Sequence, residues 1–242
     1  MTSAHGRRGP RPVPLLAAVP LVVLLGAQAL CAQSLTGTTG LVSIPTAAMP
    51  ADRTLTLAVN VIDRGFDNPR FPDRRALVQS ASLGFLPFVE VGLRLTRALD
   101  APRPQALGDR MVSVRVRLLD ETVHRPAVVL GGQDLVGTRL RHAVYVVASK
   151  EVDSGTVLGR TGVHLGYGGN PLSLRIGGSQ FAGVFGGVSA APRPWLALLA
   201  EHDARRVNAG VRLVLLRRLA VLVAAQHPDG LSWGVSYTAR LE

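Results

Sequence analysis

Residues equipped for chemistry are sparse in this 242-residue chain and stand far apart. Hydrolysis by a serine nucleophile needs a serine, a histidine and an acid at one point. His164 has no serine two or four residues away, His202 stands next to Asp203 at a segment end, and His142 falls in a connection. None sits in the Gly-x-Ser-x-Gly turn that lifts a nucleophile clear of its sheet. No His/Asp cluster has the spacing of metal ligands, and no glycine loop has the form that cradles phosphate. The single cysteine, Cys31, lies in an apolar leader, so a thiolate metal site or a redox role has no support. These residues point to no catalytic group, no cofactor and no metal, and to a protein that is not an enzyme.

The informative side chains are the charged ones. Glu90, Arg94, Arg115, Arg117, Asp134, Lys150, Glu201, Arg212 and Arg240 fall on or beside the polar phase of segments in which apolar residues recur at every second position. Lining a bore, they form a ladder able to guide an anionic polymer, since guanidinium forks match carboxylates. In a narrow barrel the same charges cross-link the interior. Packing is the preferred reading for Glu90 and Arg94, which lie beside a tight turn at Pro87. Gln133-Asp134 closes a segment that leads into Gly137-Thr138. It reads either as a polar constriction meeting sugar hydroxyls or as Asp134 paired with an interior arginine such as Arg115. The pairing is preferred, because a buried charge needs a partner.

The elements that position these groups follow from the alternation. Leu231, Trp233, Val235, Tyr237, Ala239 and Leu241 interleave with Ser232, Gly234, Ser236, Thr238 and Arg240. In a strand the first set lies on one face and the second on the other. Val112, Val114 and Val116 oppose Ser113, Arg115 and Arg117 in the same way, as Val91, Leu93 and Leu95 oppose Gly92, Arg94 and Thr96. Twelve strands are expected, near 54–62, 76–86, 88–97, 110–119, 126–134, 143–150, 160–168, 182–190, 194–202, 206–215, 218–226 and 230–241. Their lengths approach the roughly 9–11 residues that cross a bilayer at a tilt. Lipid offers no hydrogen-bonding groups, so a sheet within it must close on itself. The fold expected is therefore all-β, a single antiparallel outer-membrane β-barrel of about 12 strands.

The connections agree with that reading. Those at 86–88, 120–125, 191–194 and 216–218 are tight, as periplasmic turns are, and that at 151–159 is somewhat longer. Those at 63–75, 98–109 and 169–181 are long, polar and rich in Pro, Gly and Arg, as outer loops are. A soluble β-sandwich also alternates, but its wet face usually carries Lys, Glu, Thr and Ser. Here the polar face is Gly, Ser, Asn and Arg. Phe85, Phe88, Trp195, Trp233 and Tyr237 supply a thin aromatic girdle.

The chain opens with an address. Arg7, Arg8 and Arg11 precede the apolar run 14–25, and Ala27-Gln28-Ala29 and Leu30-Cys31-Ala32 follow as cleavage sites, the pattern of a secretory signal peptide. Cleavage is expected after Ala32, with Ala29 as the second choice. The divisions expected are 1–32, a cleavable signal peptide, and 33–242, the barrel domain. Cys31 also suggests a lipidated N-terminus, but such a cysteine normally follows a small residue, and here it follows Leu30. The 27 basic residues outnumber the 16 acidic ones, and Lys150 is the one lysine. An exported chain meets little nucleic acid, so none is expected as a partner. Anionic glycan or lipopolysaccharide is the expected counterpart of the charge, set against a merely solvated basic surface. Mean hydropathy is +0.26.

Several strings, taken in order, carry a family likeness. Thr39-Gly40-Leu41-Val42-Ser43-Ile44-Pro45-Thr46-Ala47 resembles the N-terminal signature of the YjbH family of exopolysaccharide-associated outer-membrane proteins. Leu86 to Thr96 looks like that family's hairpin motif, Asp109 to Glu121 resembles a family strand, and so does Pro126 to Thr138. Tyr145-Val146-Val147-Ala148-Ser149-Lys150 is nearly identical to another signature, and Val184 to Val188 and Glu201 also match. The resemblance implies an outer-membrane barrel in exopolysaccharide or capsule production or export, structural or conductive and without catalytic residues. Its implied partners are outer-membrane lipid, polysaccharide and export-system proteins. Rival readings are a general outer-membrane pore or assembly partner with no tie to glycan, a periplasmic glycan-binding β-sandwich, and an outer-leaflet hydrolase.

Overall fold

The computed structural model describes residues 32–64, 74–100, 108–137, 139–170, 181–226 and 230–242. Residues 1–31, on which the expected signal peptide and Cys31 fall, lie outside the described residues. Twelve strands follow in order: β1 (Thr54–Ile62), β2 (Ala76–Phe85), β3 (Val89–Ala98), β4 (Asp109–Leu119), β5 (Ala127–Gly137), β6 (Ala143–Asp153), β7 (Arg160–Gly169), β8 (Gly183–Arg193), β9 (Leu196–His202), β10 (Val207–Leu215), β11 (Leu219–Gln226) and β12 (Leu231–Arg240). Each pairs antiparallel with its sequence neighbour, and β1 closes the ring on β12 from Thr54↔Arg240 to Val61↔Trp233. Closure excludes the two-sheet sandwich.

The two-residue period sorts side chains to the two faces. Leu57 and Val59 on β1, Leu93 and Leu95 on β3, Val163, Leu165 and Tyr167 on β7 and Trp233 on β12 are all exposed. The intervening Ala58, Asn60, Arg94, Thr96, His164, Ser232 and Ser236 are buried. Aliphatic rows therefore point outward around the ring, and polar and small residues point in. The expected girdle residues Phe85, Phe88, Trp195, Trp233 and Tyr237 are all exposed. Exposed apolar side chains thus ring the outside of the barrel.

Strand limits depart from the expected ones where the alternation fails. Alternation lapses over Gly131 to Asp134, which are all buried, yet β5 runs on to Gly137 because, past a register shift between Val112 and Val114, it pairs with β4 again at Val136 and Gly137. Asp134 there has a φ of 50°, a left-handed conformation that Asp tolerates better than most residues. β9 begins at Leu196 rather than at Pro194, which has no N–H for the ladder. The strand before it, β8, carries a register shift between Ala190 and Arg193.

The tight turns 86–88, 194–195 and 216–218 share one end of the barrel with the connections 120–126 and 154–159, and the strand ends that bound the long connections 63–75, 99–108 and 170–182 lie at the other end. Residues 32–50 precede β1, form no strand, and are almost wholly buried.

Candidate functional site in the barrel lumen

The buried N-terminal segment folds back on itself. Leu35 N–H donates to the Val42 carbonyl at 2.8 Å, Ser34 N–H to Thr38 at 2.8 Å and Leu41 N–H to Ile44 at 3.0 Å. Isolated bridges join Gln33 to Thr39 and Gly40 to Pro45. Gly40 lies where the chain crosses itself, and a Cβ there would stand 2.1 Å from the Ile44 carbonyl oxygen. Gly40→Ala is therefore expected to destabilise the protein by about 1–3 kcal/mol, the usual cost of overpacking. Denaturant unfolding of the purified barrel checks this, with Gly169→Ala, which meets nothing within 4 Å, as the neutral control.

Wall residues from seven strands around the ring bond this one segment, which is possible only from inside. Glu201 on β9 accepts the N–H groups of Val42 at 2.9 Å, Ser43 at 2.9 Å and Ile44 at 3.2 Å, together with the Ser43 hydroxyl and Asn208 Nδ2. Arg212 on β10 donates to the carbonyls of Gly40 at 2.8 Å and Leu41 at 2.7 Å. Arg115 on β4 donates to the carbonyls of Thr39, Thr46 and Ala48 and pairs with Glu90 on β3. Glu90 in turn accepts the N–H and hydroxyl of Thr39, both at 3.2 Å. Arg94 reaches the Thr36 carbonyl at 3.4 Å.

Neutral residues complete the attachment. Asn60 on β1 donates to the Leu35 carbonyl at 3.0 Å, Gln33 donates to Ser82 Oγ on β2 at 2.6 Å, and Ala47 N–H donates to Ser149 Oγ on β6 at 2.8 Å. Leu35, Leu41, Val42, Ile44 and Met49 join wall residues such as Val129, Val147, Phe185 and Leu222 in one apolar cluster. The segment is thus a plug, polar in its backbone contacts and apolar in its packing. Both of its ends lie toward the tight-turn rim: Gln33 touches Ser82, and Ala51 abuts Gly84 before β1 begins.

A sequence profile described as "Exopolysaccharide biosynthesis protein YbjH" matches residues 32–239, plug and barrel together. The chain belongs to the YjbH family. No curated protein matches the chain. A solved structure described as "KdgM porin" resembles it at a TM-score of 0.48 and 8% sequence identity, covering 78% of this chain and 99% of that one.

In this YjbH-family barrel the residues singled out from the sequence separate into three groups. Glu90, Arg94, Arg115, Asp134, Glu201 and Arg212 are buried inside the ring. Of these, all but Asp134 hold the plug. Arg117 is half-buried near the tight-turn rim and pairs with Asp120 at 3.0 Å, and Arg240 is exposed at that same end. Lys150 shares the outward phase of β6 with Val146 and Val152 and pairs with Glu121 at 3.2 Å. It does not line the lumen, because the string Val147-Ala148-Ser149-Lys150 places Val147 and Ser149 on the inner phase. Asp134 does not meet Arg115. Its Oδ2 accepts the backbone N–H of Arg141 at 2.8 Å, because the left-handed turn at Asp134 directs the carboxylate to the adjoining loop, while Glu90 occupies Arg115.

Several working residues escaped the sequence reading. Asn60, Ser80, Ser82, Ser149 and Asn208 bond the plug or its anchors, and only their inward phase could have marked them. His164 has no serine nearby in sequence, yet the register brings one on each side. Its Nδ1 lies 2.8 Å from Ser149 Oγ and its Nε2 lies 3.2 Å from Ser189 Oγ. Both ring nitrogens are engaged, all three side chains are buried, and Ser149 also receives the plug's Ala47 N–H. As arranged, the trio braces the plug, and no acid in it orients the imidazole as a serine hydrolase requires.

Proposed function

We propose that this YjbH-family chain is an outer-membrane barrel acting in exopolysaccharide or capsule production or export, in a structural or conductive role and not as a catalyst. The plug of residues 32–50 is its resting closure. The observation that carries the reading is the two-sided barrel: aliphatic rows outside, and inside a bore where Glu90, Arg94, Arg115, Glu201 and Arg212 hold a segment of the same chain. The family match supplies the link to exopolysaccharide. Lipid is then the partner of the outer face, and a polysaccharide or an export-system protein is the partner that meets the opened bore.

Two experiments test it. A strain lacking the gene is expected to lose exopolysaccharide or capsule, with recovery on complementation; unchanged polymer yield removes the glycan link and leaves a pore or assembly partner. Membrane residence is tested by heat-modifiable migration of the outer-membrane fraction and by Leu165→Arg. Leu165 is 62% exposed at the middle of β7, and an arginine at the bilayer midplane costs a barrel about 2–4 kcal/mol. Folding into vesicles is expected to weaken by that amount. Equal stability of the variant in vesicles places Leu165 in water and overturns the membrane reading.

A further inference from the structure

Away from the tight-turn end, the outward positions of the strands carry two charged side chains among the described residues, Arg97 on β3 and Arg110 on β4. They stand together. Arg110 lies directly opposite Leu95, and Arg97 is the next outward residue after Leu95 on the same strand. Gln79 of β2 faces Leu95 from the other side and is likewise outward and exposed. The result is a triangle of two guanidiniums and an amide around one aliphatic side chain, at the loop-side edge of the apolar belt.

Among the described residues neither arginine has an ion-pair partner. The acidic residues that flank them in sequence are engaged elsewhere: Asp100 pairs with Arg75 at 3.4 Å and Asp109 with Arg141 at 3.3 Å. Among the described residues no carboxylate stands within ion-pair distance of Arg97 or Arg110. Two like charges on adjacent strands repel, and charge at the edge of hydrocarbon is retained where it finds a partner. With no such partner among the described residues, the pair suits a ligand that carries negative charge and accepts forked hydrogen bonds, as a phosphate does.

We propose that Gln79, Arg97 and Arg110 form a binding site for the phosphorylated headgroup of a membrane glycolipid, with Leu95 against the start of an acyl chain. The inference rests on the outer-membrane reading above. In a barrel of that kind the long connections face outward, which sets this edge level with the headgroups of the outer leaflet. An acidic protein segment offers the same charge, but it has no match for the Leu93 and Leu95 row that continues below the arginines.

The test uses the full chain purified in detergent, delipidated and returned to phosphatidylcholine vesicles with phosphorylated lipid A, dephosphorylated lipid A or neither. Incorporation is read first, by heat-modifiable migration; failure to insert overturns the membrane reading and this site with it. Given insertion, the wild-type barrel is expected to retain phosphorylated lipid A at least about tenfold more tightly than R97Q/R110Q, the loss that follows from removing one charge-assisted hydrogen bond at the low end of its range. Dephosphorylated lipid A is expected to bind both proteins alike. Since both positions are exposed, the variant's migration is expected to be unchanged. Equal retention by wild type and variant overturns the site while leaving the membrane reading intact. Displacement of the lipid by millimolar inorganic phosphate, or preference for a polyglutamate peptide, overturns the assignment to lipid.

Discussion

Glu201→Ala is expected to loosen the plug more than any other single change. The carboxylate is 3% exposed and accepts three consecutive backbone N–H groups, from Val42, Ser43 and Ile44, together with a hydroxyl and an amide. Removing it leaves those donors in the interior without an acceptor and out of reach of bulk water. A buried donor left unsatisfied costs about 1–3 kcal/mol, so the loss is expected to reach about 3 kcal/mol or more in total. The purified variant is expected to unfold at lower denaturant by that margin, to expose residues 32–50 to protease, and to conduct in planar bilayers where the wild-type protein stays closed. Ser43→Ala removes a single bond to the same carboxylate and is expected to cost about 1 kcal/mol, which keeps the test readable should the first variant fold poorly. Wild-type protection of the plug in both variants would sink the assignment of Glu201 as its anchor.

The arrangement also says what the bore is matched to in its closed state. Carboxylates take N–H groups and guanidiniums take carbonyls, so charges of both signs are satisfied by one neutral polypeptide. A polyanion entering the bore meets the guanidiniums of Arg94, Arg115 and Arg212 only after the plug's carbonyls leave them. It also meets Glu90 and Glu201, which repel it unless other donors replace Thr39 and Val42 to Ile44. Opening the bore requires these contacts to break together, and each ~1.4 kcal/mol they contribute lowers the open population tenfold.

Much of this architecture was legible in the residues. Alternation over ten positions is a strong signal in a barrel because one face meets a uniform apolar surround, and it marked all twelve strands, including the weak pattern of Leu219–Gln226. It failed where the pleat itself fails, at the bulge between Gly132 and Val136 and at Pro194. It also misdirected Lys150, whose outward phase is clear only once Tyr145, Val147 and Ser149 are counted as inner residues. The plug was recognised as a family string yet not as an occupant of the bore. Leu35, Leu41, Val42 and Ile44 have no helical or strand period, because an irregular segment surrounded by wall buries side chains in every direction. Its decisive contacts also join residues 157 to 172 apart, such as Ile44 with Glu201 and Gly40 with Arg212, and no local pattern encodes such a pairing.

The second large effect is expected at the Arg115–Glu90 pair, where the two side chains are 1% and 2% exposed. Arg115→Met strands the Glu90 carboxylate and leaves the Thr39, Thr46 and Ala48 carbonyls without their donor, so a loss of about 3–5 kcal/mol is expected. Glu90→Leu strands the guanidinium instead, though three carbonyls still receive it, and the loss is expected at the lower end of that range. An isolated buried ion pair is often replaceable by apolar residues at little cost. This one differs because its arginine serves the plug backbone as well as its partner. The double variant is therefore expected to be less destabilised than the two single losses added together, with a coupling of about 0.5–3 kcal/mol, yet still weaker than wild type and still conductive. Denaturant unfolding of the four proteins in one detergent gives the cycle, and bilayer recording of the same four gives the closure. Wild-type stability and silence in the double variant would mean that the pair serves only itself, and that the plug is held by Glu201 and Arg212 without it.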